Sequence, residues 1–485
     1  MKNIFYDKSK IDYGNLLFPR RALWMLLIPL IIEQMLNSLM GMVDTLMVSR
    51  VGAEAISAVS LVDSINNLVL QVFAAMAAGA AIICSQYLGR KDEKGCNDAA
   101  KQIVLTVVVI SSVIMIIGVG FRKPLLYLIF GSVEEAVMTN AQMYFLITAL
   151  SYPFIALFQA GAAFYRACGN SKFTMKTALI ANVANIVGNT LFIFVLQMGA
   201  AGAAISTLIS RALCAFVVFY ALRKPGYAIQ LKNYFSIRPD LNLIVKILAI
   251  GVPSGIENGM FQFGKLAIQS TVSSLGTVAS EAARAVGYRT SMIGRSCGFF
   301  RRPTRELMVP QAMTIIFENV NGMAAVGIGI GLMTVVGQSI GAGRQEEAKY
   351  YIVKLAGYAE VAMIISCILV YIAARPVTVL AGMSEESTAL CMQMILAITI
   401  VKPLLWVPSF TPPNGLRAAG DVRFSMITAT LTMWLCRVAL SIFLMRVVKT
   451  GPIGVWYGMF ADWGVRGVIF TIRFVRGKWL RFKVI

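Results

Sequence analysis

The chain has 485 residues, 58% of them hydrophobic, with a mean hydropathy of +0.73 and a formal charge of +21. Globular proteins are about 45–50% apolar, so the excess excludes an ordinary soluble domain. There is no histidine, which excludes imidazole catalysis, histidine-ligated metals and histidine pH sensing.

Residues 1–22 are polar and basic and form a cytoplasmic N-terminal segment. The apolar run that follows, from Ala22 to Val48, is longer than the 7–15-residue core of a secretory signal and is expected to stay as a first membrane helix. Further runs long enough to cross a bilayer begin near Ser60, Ile103, Ala141, Phe173, Ala200, Leu243, Ala312, Tyr350, Leu390, Phe424 and Ile453. Hydrocarbon cannot satisfy backbone polar groups, so spans are helices or closed barrels, and runs of about 20 residues without alternation select helices. About twelve spans are expected in an all-α polytopic membrane protein. The division is a six-helix lobe at 23–222, a cytoplasmic linker at 223–242, a second six-helix lobe at 243–473 and a basic cytoplasmic tail at 474–485.

Basic residues fall in alternate loops. One side carries Arg20 and Arg21, Arg90, Lys91 and Lys94, Arg223 and Lys224, and the tail; the other holds Arg50, Arg122, Lys123, Arg375, Arg446 and Lys449. Cytoplasmic loops concentrate Lys and Arg, so both termini are expected inside. The same alternation argues against nucleic acid as the partner of the charge. The eight cysteines lack metal-ligand spacing and read as small buried residues.

The chain repeats itself. PLIIE at 29–33 and SQYLGR at 85–90 are echoed by PSGIE at 253–257 and GQSIGAGR at 337–344. RACG at 166–169 is echoed by RAAG at 417–420, and GAAG at 199–202 by GPIG at 451–454. Transporters are commonly built from such repeats, with the site between them near the midplane. The first echoes are offset by 224 residues and the last by 252. This locates an insertion at about 283–310, an arginine-rich segment that topology puts outside, against the positive-inside bias.

Ionisable residues within spans are costly and mark function by default. Glu33, Asn37, Met40 and Asp44 share one face of the first span, a wall suited to a cation or a proton; static pairing with a neighbouring helix is the other reading. Asn182, Asn185 and Asn189 share a face of the fifth span, either as oxygen ligands or as interhelical hydrogen bonds. In the seventh span Asn258, Gln262 and Lys265 repeat the spacing beside Glu257; Lys265 could pair with Glu257 or Glu318, either switching partners during transport or as a static structural pair. Asp462 and Arg466 read as a local ion pair. Gly327, Gly329 and Gly331 lie in an apolar helix without GxxxxGK[ST], so close packing is expected there rather than nucleotide binding. An ion gradient is then the energy source, and no cofactor and no enzymatic activity are expected.

These residues resemble the multidrug and toxic compound extrusion (MATE) transporters, nearer their DinF-like branch. The likeness rests on VDT at 43–45, VG at 51–52, QYLGR at 86–90, YRACGN at 165–170, GAAIST at 202–207 and VGQSIGAG at 336–343. It implies a V of two six-helix lobes and rocker-switch antiport of cationic amphipathic compounds against inward Na⁺ or H⁺. A plasma-membrane location is expected, and function as a monomer, since two lobes can provide a complete pathway in one chain. By motif the likeness places the coupling-cation site on Asp44, Asn185, Asn189 and Thr207, with Na⁺ at the first three as one form. Asn189 departs from the family, which often has a carboxylate there. Glu33, Asn37, Met40, Glu257, Gln262 and Lys265 are the candidate substrate-binding or coupling residues. The alternative is a flippase for a lipid-linked oligosaccharide or lipid-like substrate, which needs a basic central cavity for diphosphate.

Overall fold

The computed structural model describes residues 5–131, 134–224, 228–231, 238–285, 304–448, 450, 453–482 and 484. Among these there is no strand. The first group of helices is α1 (Arg20–Ser49), α2 (Ala53–Gly89), α3 (Glu93–Gly120), α4 (Arg122–Phe130), α5 (Glu135–Leu150), α6 (Tyr152–Ala167), α7 (Ser171–Asn189) and α8 (Gly199–Ala221). The second is α9 (Leu241–Ala285), α10 (Thr304–Val320), α11 (Met323–Gly341), α12 (Gln345–Leu380), α13 (Glu385–Ala418), α14 (Val422–Thr432), α15 (Leu440–Arg446) and α16 (Ile453–Val475). Among the described residues ten helices are long and apolar enough to cross a membrane, eleven when α5 and α6, bent by 42°, count as one span. α16 carries Asp462 and Arg466 in its middle, falls outside that set, and brings the bundle to the expected twelve.

Boundaries differ from the sequence expectation at the eighth span. It was placed near Ala312; the chain instead forms α10, a break at Asn321 and Gly322, and then α11. The early counterpart, α2, is unbroken over 37 residues. The insertion assigned to 283–310 falls largely on 286–303, outside the described residues; its flanks continue α9 and open α10.

Small residues set the helix spacing, as expected where lipid gives helices no hydrophobic reason to associate. A Cβ on Gly327 would sit 3.0 Å from the Ile31 backbone, and one on Gly331 would lie 2.6 Å from Leu27, so α11 lies directly on α1. The three glycines thus serve packing, as the sequence indicated.

The groups meet through α1, α2, α9 and α11, and the repeated motifs make that contact. Gln86 near the end of α2 donates from Nε2 to the Ala418 carbonyl at 2.7 Å; Gln338 near the end of α11 donates to the Ala167 carbonyl, also at 2.7 Å. A Cβ on Gly89 would be 2.1 Å from the Gln338 carbonyl oxygen, and one on Gly341 would be 2.1 Å from that of Gln86. Only glycine permits this double crossing. At the same end, residues 5–18 strap onto the start of α12. Asp7 N–H donates to Glu346 at 2.9 Å, Leu17 N–H to Glu347 at 2.6 Å and Phe18 N–H to the Tyr351 hydroxyl at 2.8 Å. The basic tail is seated rather than loose, for Trp479 is fully buried against Phe474.

Candidate functional site

α7 is sewn to α1 and pressed against α8. Ser171 Oγ donates to the Leu26 carbonyl at 2.6 Å and Asn182 Nδ2 to that of Leu36 at 3.0 Å. Gly188 admits Ser206, which donates to the Asn185 carbonyl at 2.8 Å. This packing aims the asparagine face inward, leaving Asn185 and Asn189 fully buried. Asn189 Nδ2 donates to Asp44 Oδ1 at 2.6 Å and to Asn185 Oδ1 at 3.1 Å, and Asn185 Nδ2 to Thr207 Oγ1 at 3.4 Å. All four residues placed by motif therefore form one chain of hydrogen bonds across α1, α7 and α8.

Asn189 Oδ1 is buried with no donor in reach. A buried acceptor left unsatisfied costs about 1–3 kcal/mol, and a carboxamide can turn end for end. Turned toward Asp44, it would present a second hard oxygen, the ligand type that sodium takes and that a protonated carboxyl donates to. A π-helical turn, Thr190–Val195, begins directly after Asn189; such turns are frequent at functional sites.

Beside this lies a second half-buried acid that sequence reasoning passed over. Asp63 on α2 accepts from Tyr144 at 3.3 Å and from Asn66 Nδ2 at 3.3 Å, while Asn66 accepts from Tyr152 at 2.8 Å. Arg211 donates to Ser151 Oγ, at the α5–α6 bend, at 2.7 Å. An aspartate and an asparagine three apart within an apolar run were the available signal.

The other first-span candidates separate from Asp44. Glu33 is buried, takes Arg166 at 3.1 Å and accepts from Thr174 at 2.6 Å. Asn37 is exposed and Met40 half-buried. In the second lobe Glu257 binds Arg417 through a short contact, and Arg417 also donates to Asn414 at 3.1 Å. Lys265 therefore does not pair with Glu257. Nor does it pair with Glu318, whose carboxylate is taken by Lys402 at 2.7 Å. Asp462 is more than a local partner of Arg466: fully buried, it lies 3.0 Å from Arg466 and 3.3 Å from Arg437.

Glu257, Asn258, Gln262 and Lys265 line one cavity of about 330 Å³ with residues of α11, α13, α14 and α16. It is bounded by Phe261, Trp406 and Phe410 and carries Arg417 and Arg466. Trp406 and Phe410 stack at 4.8 Å, forming a continuous aromatic wall.

Two pseudo-symmetric helical lobes that enclose buried charge at mid-bundle define a multi-pass membrane transporter rather than an enzyme. The MatE family pattern matches residues 29–191 and 312–443, more than half of the chain, and the protein belongs to that family. It is 26% identical to YisQ, an uncharacterized transporter of Bacillus subtilis, over 95% of both chains. It is 23% identical to NorM of Thermotoga maritima, a probable multidrug resistance protein, over 95% of this chain and 93% of that one. In fold it is similar to an outward-facing multidrug resistance MATE transporter of the MOP superfamily, with a TM-score of 0.81 at 17% identity. That likeness covers 93% of this chain and 95% of that one.

Proposed function

We propose that the chain exports small amphipathic compounds, organic cations among them, across the plasma membrane in exchange for inward Na⁺ or H⁺. The observation that carries this reading is the Asp44–Asn189–Asn185–Thr207 chain with its orphaned Asn189 oxygen. Asp44 is the carboxylate that loads the coupling ion. Asn185, Asn189 and Thr207 supply neutral oxygens that complete the shell for Na⁺ or orient the protonated acid. Relatives named for multidrug resistance support drug export.

The concentration of basic residues in alternate loops supports cytoplasmic termini, and with them the Gln86 and Gln338 crossing closes the cytoplasmic ends of the lobes. Rocking the lobes apart at that crossing would open the inner side. A ligand can drive such a change only by its difference in affinity for the two arrangements. Loading Asp44 rearranges bonds that join α1, α7 and α8, which is where such a difference would arise. One chain holds both lobes, so a monomer carries a complete pathway. Relatives named for multidrug resistance support this reading over export of a lipid-linked oligosaccharide.

The test is efflux of ethidium from cells expressing wild type or Asp44→Asn, with Na⁺ and pH gradients varied separately. Efflux that needs one gradient and is lost in the variant is expected. Wild-type rates in Asp44→Asn would sink the assignment of Asp44.

A further inference from the structure

The two lobes carry opposite charge. In the first, the half-buried acids Asp44 and Asp63 stand among amides and hydroxyls with Arg211 as the nearby cation. In the second, the cavity and its surroundings hold Lys265, Lys402, Arg417, Arg437 and Arg466 with Glu257, Glu318 and Asp462. Lys402 is matched by Glu318 and Arg417 by Glu257. Asp462 is shared by Arg437 and Arg466. Lys265 makes no ion pair among the described residues, Glu318 being bonded to Lys402. At the 252-residue offset of the later repeat, Arg437 stands where the first lobe has Asn185.

Unpaired cations inside a membrane protein are expensive, and they persist where a ligand or pathway needs them. Lys265 faces the cavity, exposed, with its ammonium 5.0 Å from the centre of the Phe261 ring and no acceptor bonded to it among the described residues. The same ring supports Arg437 at 5.0 Å. Arg466, in the same lining, is held by Asp462, Thr432 and the Ala429 carbonyl and stacks on Phe410 at 4.9 Å. It is a fixed positive wall, whereas Lys265 is a free donor. The rest of the lining sets the aromatic wall of Phe261, Trp406 and Phe410 beside amides and aliphatic side chains, and its one acid, Glu257, is bonded to Arg417. A compact anion on a flat apolar body satisfies both features. Its charged oxygens meet Lys265 and the field of Arg466, and its ring system lies against Trp406 and Phe410. An organic cation placed there would be repelled.

We infer that the second-lobe cavity is a binding site for amphipathic aromatic acids, carboxylates or sulfonates, anchored by Lys265. The inference deepens the export reading, on which its physiological sense rests, and it extends the substrate range beyond cations.

The test compares two probes with one ring system and opposite charge, 1-naphthalenesulfonate and 1-naphthylmethylammonium. Each is measured by equilibrium dialysis against the full chain in nanodiscs of zwitterionic lipid. The sulfonate is expected to bind at least about tenfold more tightly than the ammonium ion. Lys265→Gln, checked as monodisperse, is expected to lose about tenfold in sulfonate affinity, while Lys265→Arg stays within about threefold. Preference for the ammonium ion, absence of sulfonate binding to wild type, or unchanged affinity in Lys265→Gln would overturn the site. Dialysis needs no ion gradient, so its failure leaves Asp44-dependent efflux standing, and a failure of efflux leaves this result standing.

Discussion

Glu33 and Arg166, 133 residues apart in sequence, lie 3.1 Å apart between α1 and α6, and Glu257 and Arg417 make the same pair in the second lobe. Each joins the first helix of its lobe to the end of the fourth span. Removing one partner of a buried pair costs about 3–5 kcal/mol, because the survivor is left charged and unpaired. Glu33→Gln and Glu257→Gln should each lower the melting temperature in detergent. The two pairs lie in different lobes and share no partner, so the double variant should show the sum of the two shifts. A double variant no worse than either single one would mean that the pairs do not act independently.

The crossing of α2 and α11 invites a staple. A Cβ on Gly337 would lie 2.9 Å from that of Ser85, slightly inside the 3.5–4.5 Å of a disulfide, so a small shift admits the bond. Ser85→Cys with Gly337→Cys should cross-link under oxidant, seen as a joined tryptic peptide, and stop efflux until reductant is added. Efflux continuing in the cross-linked protein would show that the ends need not part.

Asn189 offers a gain-of-function test. Asn189→Asp places a second carboxylate where an amide now donates to Asp44 at 2.6 Å. Two acids at that separation cannot both stay charged without a cation between them. The expected outcome is tighter coupling-ion binding, read as a shift of about tenfold in the Na⁺ or proton concentration that gives half-maximal efflux. An unmoved midpoint would place the ion elsewhere.

Asp462 holds two guanidiniums at once. Asp462→Asn leaves both unpaired in an apolar bundle, so loss of monodisperse protein is expected, by the same cost of about 3–5 kcal/mol per broken pair. Arg437→Leu, which keeps the Asp462–Arg466 bond, should be the milder change. Equal yields from the two variants would count against the shared-carboxylate arrangement.

Much of this was legible in the sequence. Apolar runs marked the spans, and the repeat marked the lobes, because each motif sits where helices must approach or end. Asp44, Asn185, Asn189 and Thr207 were placed by motif and meet in space. Lys265 was misassigned because spacing shows which residues share a helix face but not which neighbouring helix supplies the partner; Arg417 and Lys402 had already taken the acids. Asp63 was missed because, apart from Asn66 one turn on, what makes its site comes from other helices, Tyr144 on α5 and Tyr152 on α6. The second-lobe cations Lys265, Lys402, Arg437 and Arg466 were visible as charges within spans, but not their gathering, since they stand on α9, α13, the π-helical turn Met433–Ala439 and α16 until folding brings them together.

Gln86 reaches Ala418 while Gln338 reaches Ala167. This is how an isologous interface is made, where residue i meets j and j meets i across a two-fold axis. A chain of one lobe would form the same joint with a second copy of itself. Fusion into one polypeptide keeps the joint self-complementary and frees everything away from it. One lobe can then keep an acidic interior while the other accumulates arginine and lysine, an asymmetry that a homodimer of identical subunits could never acquire.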